Sequence, residues 1–190
     1  MRTFAINSFH QVSLLALLAL TPFMESTADM SVTEIRCRDV PIDARRLLNR
    51  ENKQCAKLRD ESGGTVYVYR AFDDLVFVEI TLMSPPLQMT FVPLSDSMTL
   101  EMFKGAQSPV ILNSYDWTPV EEIANGKAAG YMTRDSGDTV WRCFSHATLY
   151  DARGTWENIQ KRGITVYCNQ GDSHFSKSDI QSVMSDVKYY

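Results

Sequence analysis

WRCFSHA at residues 141–147 and GITVYC at residues 163–168 are the two stretches that decide the fold of this 190-residue chain. Both are rich in the β-branched and aromatic residues that strands favour. A bond between Cys143 and Cys168 across an antiparallel hairpin would fix its register, put both sulfurs on the more apolar face and place the turn at 154–157. In that register Ser145 lies opposite Val166, and Ala147 lies opposite Ile164.

The chain has four cysteines, Cys37, Cys55, Cys143 and Cys168. An even number of cysteines in an exported chain predicts disulfides, and their spacing favours Cys37–Cys55 and Cys143–Cys168 among the three possible pairings. A rival hypothesis takes Cys143, His146, Cys168 and His174 as the ligands of a structural zinc site. It is disfavoured because residues three apart on a strand, such as Cys143 and His146, face opposite sides. We therefore predict disulfides and no metal.

The first residues indicate export. Residues 1–28 have a charged start, an apolar run at 12–20 and the small residues Ser26 and Ala28 before a cut, which is the pattern of a secretory signal peptide. The apolar run is shorter than the roughly 20 residues that a transmembrane helix needs. The sequence thus predicts a single exported domain at 29–190, in the bacterial periplasm or outside the cell, with no integral membrane span after processing.

Periodicity predicts the elements of this domain. A helix is expected from Asp43 to Arg59, because Asp43 can cap it and its few apolar residues are spaced along one stripe. A second helix is expected from Ser176, whose spacing to Asp179 is that of a capping box. Its apolar residues, Ile180, Val183, Met184 and Val187, follow at the spacing of an amphipathic helix.

Strands are expected between these helices, because β-branched and aromatic residues alternate with turn-forming residues. The predicted strands are 65–69, 75–82, 128–132, 139–150 and 163–169, with weaker candidates at 87–92, 109–112 and 120–123; residues 94–105 are expected as a loop or a short helix. The predicted fold is α+β: a mostly antiparallel sheet, disulfide-stapled, with an N-terminal and a C-terminal helix packed on one face.

Few residues suggest chemistry. Ser145 adjoins His146, but neighbours on a strand point apart and cannot serve as nucleophile and base. The acidic pairs at 73–74 and 121–122 are expected to be solvated, and Tyr67, Tyr69 and Arg70 are better explained as part of a sheet than as a ligand surface. We therefore predict no catalytic residue and no cofactor. The net charge of −4 disfavours nucleic-acid binding, although residues 31–60 are locally basic.

The last 50 residues or so carry a resemblance. The hairpin with its two cysteines, followed by SKSDIQSVM at 176–184, resembles the C-terminal part of small exported bacterial proteins of unassigned function, and is similar in outline to Mog1/PsbP-like α+β domains. The resemblance implies an accessory or binding module and assigns no catalytic residue.

Three functions remain open on the sequence. The first is a non-enzymatic exported domain that binds an envelope protein or a small ligand. The second is a hydrolase-like envelope enzyme that uses His146 or His174, and the third is a secreted factor that acts on a host. A concave pocket with converging polar groups would be expected of the enzyme.

Overall fold

The structure is a computed structural model, and it describes residues 31–44, 47, 52–59, 63–85, 91, 93–106, 111, 113–135, 137–151 and 160–190. The predicted signal peptide, the hairpin tip at 154–157 and most of the weak strand candidates 87–92 and 109–112 lie outside these residues. In the described part of the chain, no helix is long and apolar enough to cross a membrane.

The described residues form ten strands and two α-helices. The strands are β1 (Ser31–Glu34), β2 (Ile42–Asp43), β3 (Lys53–Arg59), β4 (Thr65–Phe72), β5 (Val76–Ser84), β6 (Glu121–Ile123), β7 (Gly126–Arg134), β8 (Val140–Asp151), β9 (Gln160–Gln170) and β10 (Lys188–Tyr189). The helices are α1 (Asp96–Gly105) and α2 (Lys177–Ser185). Eight strands form one sheet in the order β1-β3-β4-β5-β9-β8-β7-β6, and β10 pairs with β2 in a separate ribbon. Every described pairing is antiparallel.

The central hairpin of β8 and β9 has the predicted register. Cys143 lies opposite Cys168, and the neighbouring pairs are Ser145 with Val166 and Ala147 with Ile164. The structure contains two disulfides, Cys37–Cys55 and Cys143–Cys168, which are the pairings that the spacing favours. Both sulfurs of the central pair are fully buried, so this bond lies inside the core of the sheet.

The predicted N-terminal helix over 43–59 is wrong. The described part of that segment holds the short strand β2 and the strand β3, after a 3-10 turn at Cys37–Asp39. Lys53–Arg59 is composed of good helix formers, so local propensity favoured a helix. Pairing with β4 along the whole length of β3, together with the bond of Cys55 to Cys37, overrides that propensity.

The two faces of the sheet carry different cores, and the helices lie on opposite faces, not on one as predicted. We call the face that carries Cys143 and Cys168 the disulfide face, and the other the α2 face. Helix α2 packs Ile180 and Met184 against the α2 face, beside Phe144 of β8. Helix α1 lies over the disulfide face, where Met102 contacts Arg162 of β9. The predicted capping box of Ser176 and Asp179 is present at the start of α2.

Candidate functional site

A pocket of about 240 Å³ lies between α1 and the disulfide face of the sheet. Its floor is the strand β8, with Ala147 and Leu149, and Met102 of α1 lies over it. The cations Lys127 and Arg162 stand on the flanking strands β7 and β9. With strands about 4.8 Å apart and a rise of about 3.3 Å per residue, their Cα atoms are roughly 12 Å apart across the floor. The remaining lining residues are Pro93, Leu94, Thr99, Glu122, Asn125, Gly126 and Thr148.

Helix α1 begins where the sequence supplies a cap. The side chain of Ser95 accepts a hydrogen bond from the Met98 backbone N–H at 3.3 Å, and Asp96 lies in the first turn. Its buried residues Thr99 and Phe103 are four apart and therefore share one face, which is turned to the sheet. These are the two buried residues of the ten-residue helix, so polar contacts at its start add to its attachment.

Lys127 contacts the start of this helix. Its ammonium donates to the Leu94 carbonyl at 2.9 Å and to the Asp96 carboxylate at 2.6 Å, and the carboxylate of Glu122 lies 3.6 Å away. The hydrogen bond to Asp96 is the main reason that the pKa of Lys127 is raised above its usual value. Lys127 thus ties the start of α1 to β7 and closes one wall of the pocket.

Arg162 forms the opposite wall. Its guanidinium lies over the Phe91 ring, with the central carbon 4.6 Å from the ring centroid, and Nη1 is 3.9 Å from Sδ of Met102. Removal from water lowers the pKa of Arg162 below its ordinary value. The aromatic face orients the planar guanidinium, and the pocket therefore presents an oriented, partly desolvated cation.

A buried polar cluster lies next to the pocket on the same face. Arg70 and Glu79 form an ion pair, with Arg70 Nε 2.8 Å from Glu79 Oε2, and both side chains are about one-tenth exposed. Tyr131 and Ser145 are fully buried on adjacent strands of this face. Burial raises the pKa of Tyr131 far above its usual value, so this phenol stays protonated.

The two histidines among the described residues, His146 and His174, lie apart and outside the pocket lining. His146 is fully buried on the α2 face, where Nε2 donates to the Ile123 carbonyl at 2.9 Å. His174 bonds the exposed carboxylate of Asp116 at 3.0 Å. The His146 ring lies against Gly126 and the His174 ring against Gly130, positions about 13 Å apart along β7.

The rival zinc set does not assemble. Cys143 and Cys168 are bonded to each other on the disulfide face, while the His146 side chain is on the α2 face. Within the residues that the structure describes, no cluster of three or more potential metal ligands occurs.

The other residues singled out from the sequence are also separated. Tyr67 and Tyr69 face the α2 core, whereas Arg70 between them points to the disulfide face. The Asp73 carboxylate accepts the backbone N–H groups of Leu75 and Val76, which makes it a turn residue. In the other acidic pair, Glu121 binds Lys177 at 3.1 Å, and Glu122 stands at the rim of the pocket.

Sequence reasoning missed Lys127 and Arg162. Both are charged residues at strand positions whose neighbours two residues away, such as Ala129 and Ile164, are buried. The sequence signal for them was a charged residue at a strand position that the apolar alternation assigns to the buried face. The chain matches no family model, no curated protein and no solved structure in the comparisons made.

Proposed function

We propose that this chain is an exported, non-enzymatic binding domain that holds a small ligand in the pocket between α1 and the sheet. The observation that carries the proposal is the pocket itself: an apolar floor with cations at both walls, beneath a helix tied down by Lys127. Ligand sites are mostly apolar concavities with a few placed polar groups, and about 240 Å³ lies just below their usual range.

Export is part of the proposal. Two disulfides indicate an oxidising environment, because cytosolic reductants keep thiols reduced. The signal-peptide pattern at 1–28 supports export from the cytoplasm, and the resemblance of the C-terminal residues to exported accessory domains supports a binding role. The periplasm or the extracellular space is therefore the proposed compartment, with an envelope component or a small molecule as the partner.

The hydrolase alternative has less support. Neither His146 nor His174 lines the pocket, and His146 is sealed from solvent on the other face of the sheet. A buried imidazole on the far face cannot reach a substrate bound under α1. A factor that acts on a host is compatible with the same pocket and stays an alternative prediction.

A fragment screen tests the binding function. Ligand-observed NMR of the mature protein with a diverse fragment set should give binders that are lost in Ala147→Met, which fills the floor of the pocket. Ala56→Met is the matched control, because Ala56 is a half-buried alanine on the same face outside the pocket lining. The proposal fails when no fragment binds, or when the fragments bind equally well to Ala147→Met.

Export is tested separately. Intact-mass spectrometry of protein expressed from the full chain and recovered from a bacterial periplasm should show loss of residues 1–28 and two disulfides. Recovery of the whole chain beginning at Met1 would contradict export by this route.

A further inference from the structure

We infer that the pocket under α1 takes a neutral, mainly apolar molecule of about ten non-hydrogen atoms, with its polar end at the mouth. This inference rests on the proposed binding function and names the chemical class of its ligand. It follows from the size of the pocket, its apolar lining and the partners that its charged and polar side chains already have within the protein.

The size of the pocket sets the size of the ligand. A cavity of about 150 Å³ accommodates benzene, which has six carbon atoms. In the same proportion, the pocket of about 240 Å³ accommodates a molecule of about ten non-hydrogen atoms. This is the size of a medium-chain alcohol or a two-ring aromatic compound, and it is too small for a dinucleotide or an oligosaccharide.

The apolar part of the lining comes from three segments of the chain. Ala147 and Leu149 of β8 form the floor, Pro93 and Leu94 precede α1, and Met102 lies on α1 itself. The two floor residues are half-buried, so a ligand that covers them removes apolar surface from water on both sides of the contact. The flexible thioether chain of Met102 can adjust to ligands of different shape.

Lys127 has its partners within the protein. Its ammonium donates to the Leu94 carbonyl and to the Asp96 carboxylate, and the Glu122 carboxylate lies 3.6 Å away. An anionic ligand at this wall would have to displace Asp96, whose hydrogen bond attaches the start of α1 to β7. The Lys127 wall therefore does not favour an anion.

Arg162 is also engaged. Its guanidinium lies over the Phe91 ring and contacts Sδ of Met102, and the residue makes a further interaction besides these two. The two cations of the pocket stand with two carboxylates, those of Asp96 and Glu122, so the formal charges cancel. A charged ligand would lose water on entering and would find only partners that are already in use, which is costly. The charges therefore favour a neutral ligand.

The uncharged polar side chains leave the same choice. The hydroxyl of Thr99 donates to the Ser95 carbonyl at 2.8 Å, and that of Thr148 donates to the Asn125 carbonyl at 2.9 Å. Asn125 is exposed, so its side-chain amide meets water at the mouth of the pocket. A hydroxyl or carbonyl group of the ligand can bond there while the apolar body lies on the floor.

Isothermal titration with three eight-carbon probes tests the inference. Octan-1-ol, octanoate and octylammonium share one apolar chain and differ in the charge of the head group. A charged head group keeps its water by staying outside the pocket, and withdrawing two methylene groups with it costs about tenfold in affinity. We therefore expect octan-1-ol to bind the mature protein roughly tenfold more tightly than either charged probe.

Two leucine variants locate the binding site of octan-1-ol. Leu149→Ala removes apolar surface from the floor and should lower the affinity for octan-1-ol about tenfold. Leu75→Ala makes the same change at an exposed leucine outside the pocket lining and should behave like the parent protein. If Leu149→Ala does not fold, Ala147→Met takes its place, because a larger side chain on the floor should abolish binding of octan-1-ol.

Different results overturn different statements. A charged probe that binds as tightly as octan-1-ol, or an affinity for octan-1-ol that is unchanged in the floor variant, rejects the inference and leaves the binding function standing. Fragments that bind the parent protein, are lost in Ala147→Met and carry a charge at neutral pH also reject the inference alone. Absence of any fragment binding rejects both the inference and the binding function.

Discussion

Removing the central disulfide by the double substitution Cys143→Ala/Cys168→Ala should strongly destabilise the protein. The bond joins residues 25 apart, and closing a loop of that length is worth about 3.5 kcal/mol in the chain-entropy model. Both sulfurs are fully buried, so deleting two methylene-sized groups costs roughly 1.6 kcal/mol more. The expected loss is thus about 5 kcal/mol, a large part of the 5–15 kcal/mol of a typical domain.

The N-terminal disulfide provides a matched comparison. Cys37→Ala/Cys55→Ala opens a loop of 18 residues, for which the same model gives about 3.2 kcal/mol. Cys37 is only half-buried, so less packing is lost than at the central pair. The N-terminal variant should therefore be destabilised by about 1 kcal/mol less than the central variant.

Urea unfolding followed by far-UV circular dichroism and by tryptophan fluorescence measures both differences. The parent protein and the two double variants should each show coincident transitions by the two probes. A central variant whose unfolding free energy is within about 1 kcal/mol of the parent value would refute the reasoning, since neither loop closure nor buried packing would then be contributing as calculated.

Three further variants test the core. Burial lowers the pKa of His146 in the folded protein, so below about pH 6.5 the unfolded state binds more protons than the folded state. The parent protein should therefore lose stability as the pH falls from about 6.5 toward the lowered folded pKa. His146→Gln should flatten this pH dependence in thermal melts between roughly pH 7 and 5. Glu79→Gln leaves the buried guanidinium of Arg70 without its counter-charge and should cost about 3–5 kcal/mol in urea unfolding, with a small loss contradicting a buried ion pair. Gly163→Ala puts a methyl group into the ring of Tyr189 and should cost about 1–3 kcal/mol, while an unchanged midpoint would show that β10 does not pack there.

The central hairpin was predictable because a single assumption, the bond between Cys143 and Cys168, determines several of its features together. A bond between two cysteines on antiparallel strands determines the register, the shared face and the place of the turn. The register of Cys143 with Cys168 is the one that the structure has. The helix after Ser176 was predictable for a similar reason, since its cap and its apolar spacing agree with each other.

The N-terminal segment was not predictable in this way because its local and long-range preferences disagree. Lys53–Arg59 favours a helix by composition, and its strand state depends on pairing with β4, which follows it, and with β1, which precedes it. A residue-by-residue analysis contains no information on these partners. For the same reason the sequence does not show that α1 and α2 lie on opposite faces of the sheet, because neither helix contains information about the face that it covers.

The pocket depends both on local strand patterns and on the long-range placement of α1 over the sheet. The local pattern singles out its two cations, but the sequence does not show that α1 covers them. Lys127 and Arg162 occupy positions whose alternation with Ala129 and Ile164 assigns them to a buried face. A charge is tolerated at such a position when the structure supplies partners for it, as Asp96 and the Leu94 carbonyl do for Lys127. A cation that interrupts a buried strand pattern therefore marks a position where a pocket or a buried polar contact should be sought. The meaning of these two cations becomes visible only when α1, distant in sequence, is placed over them.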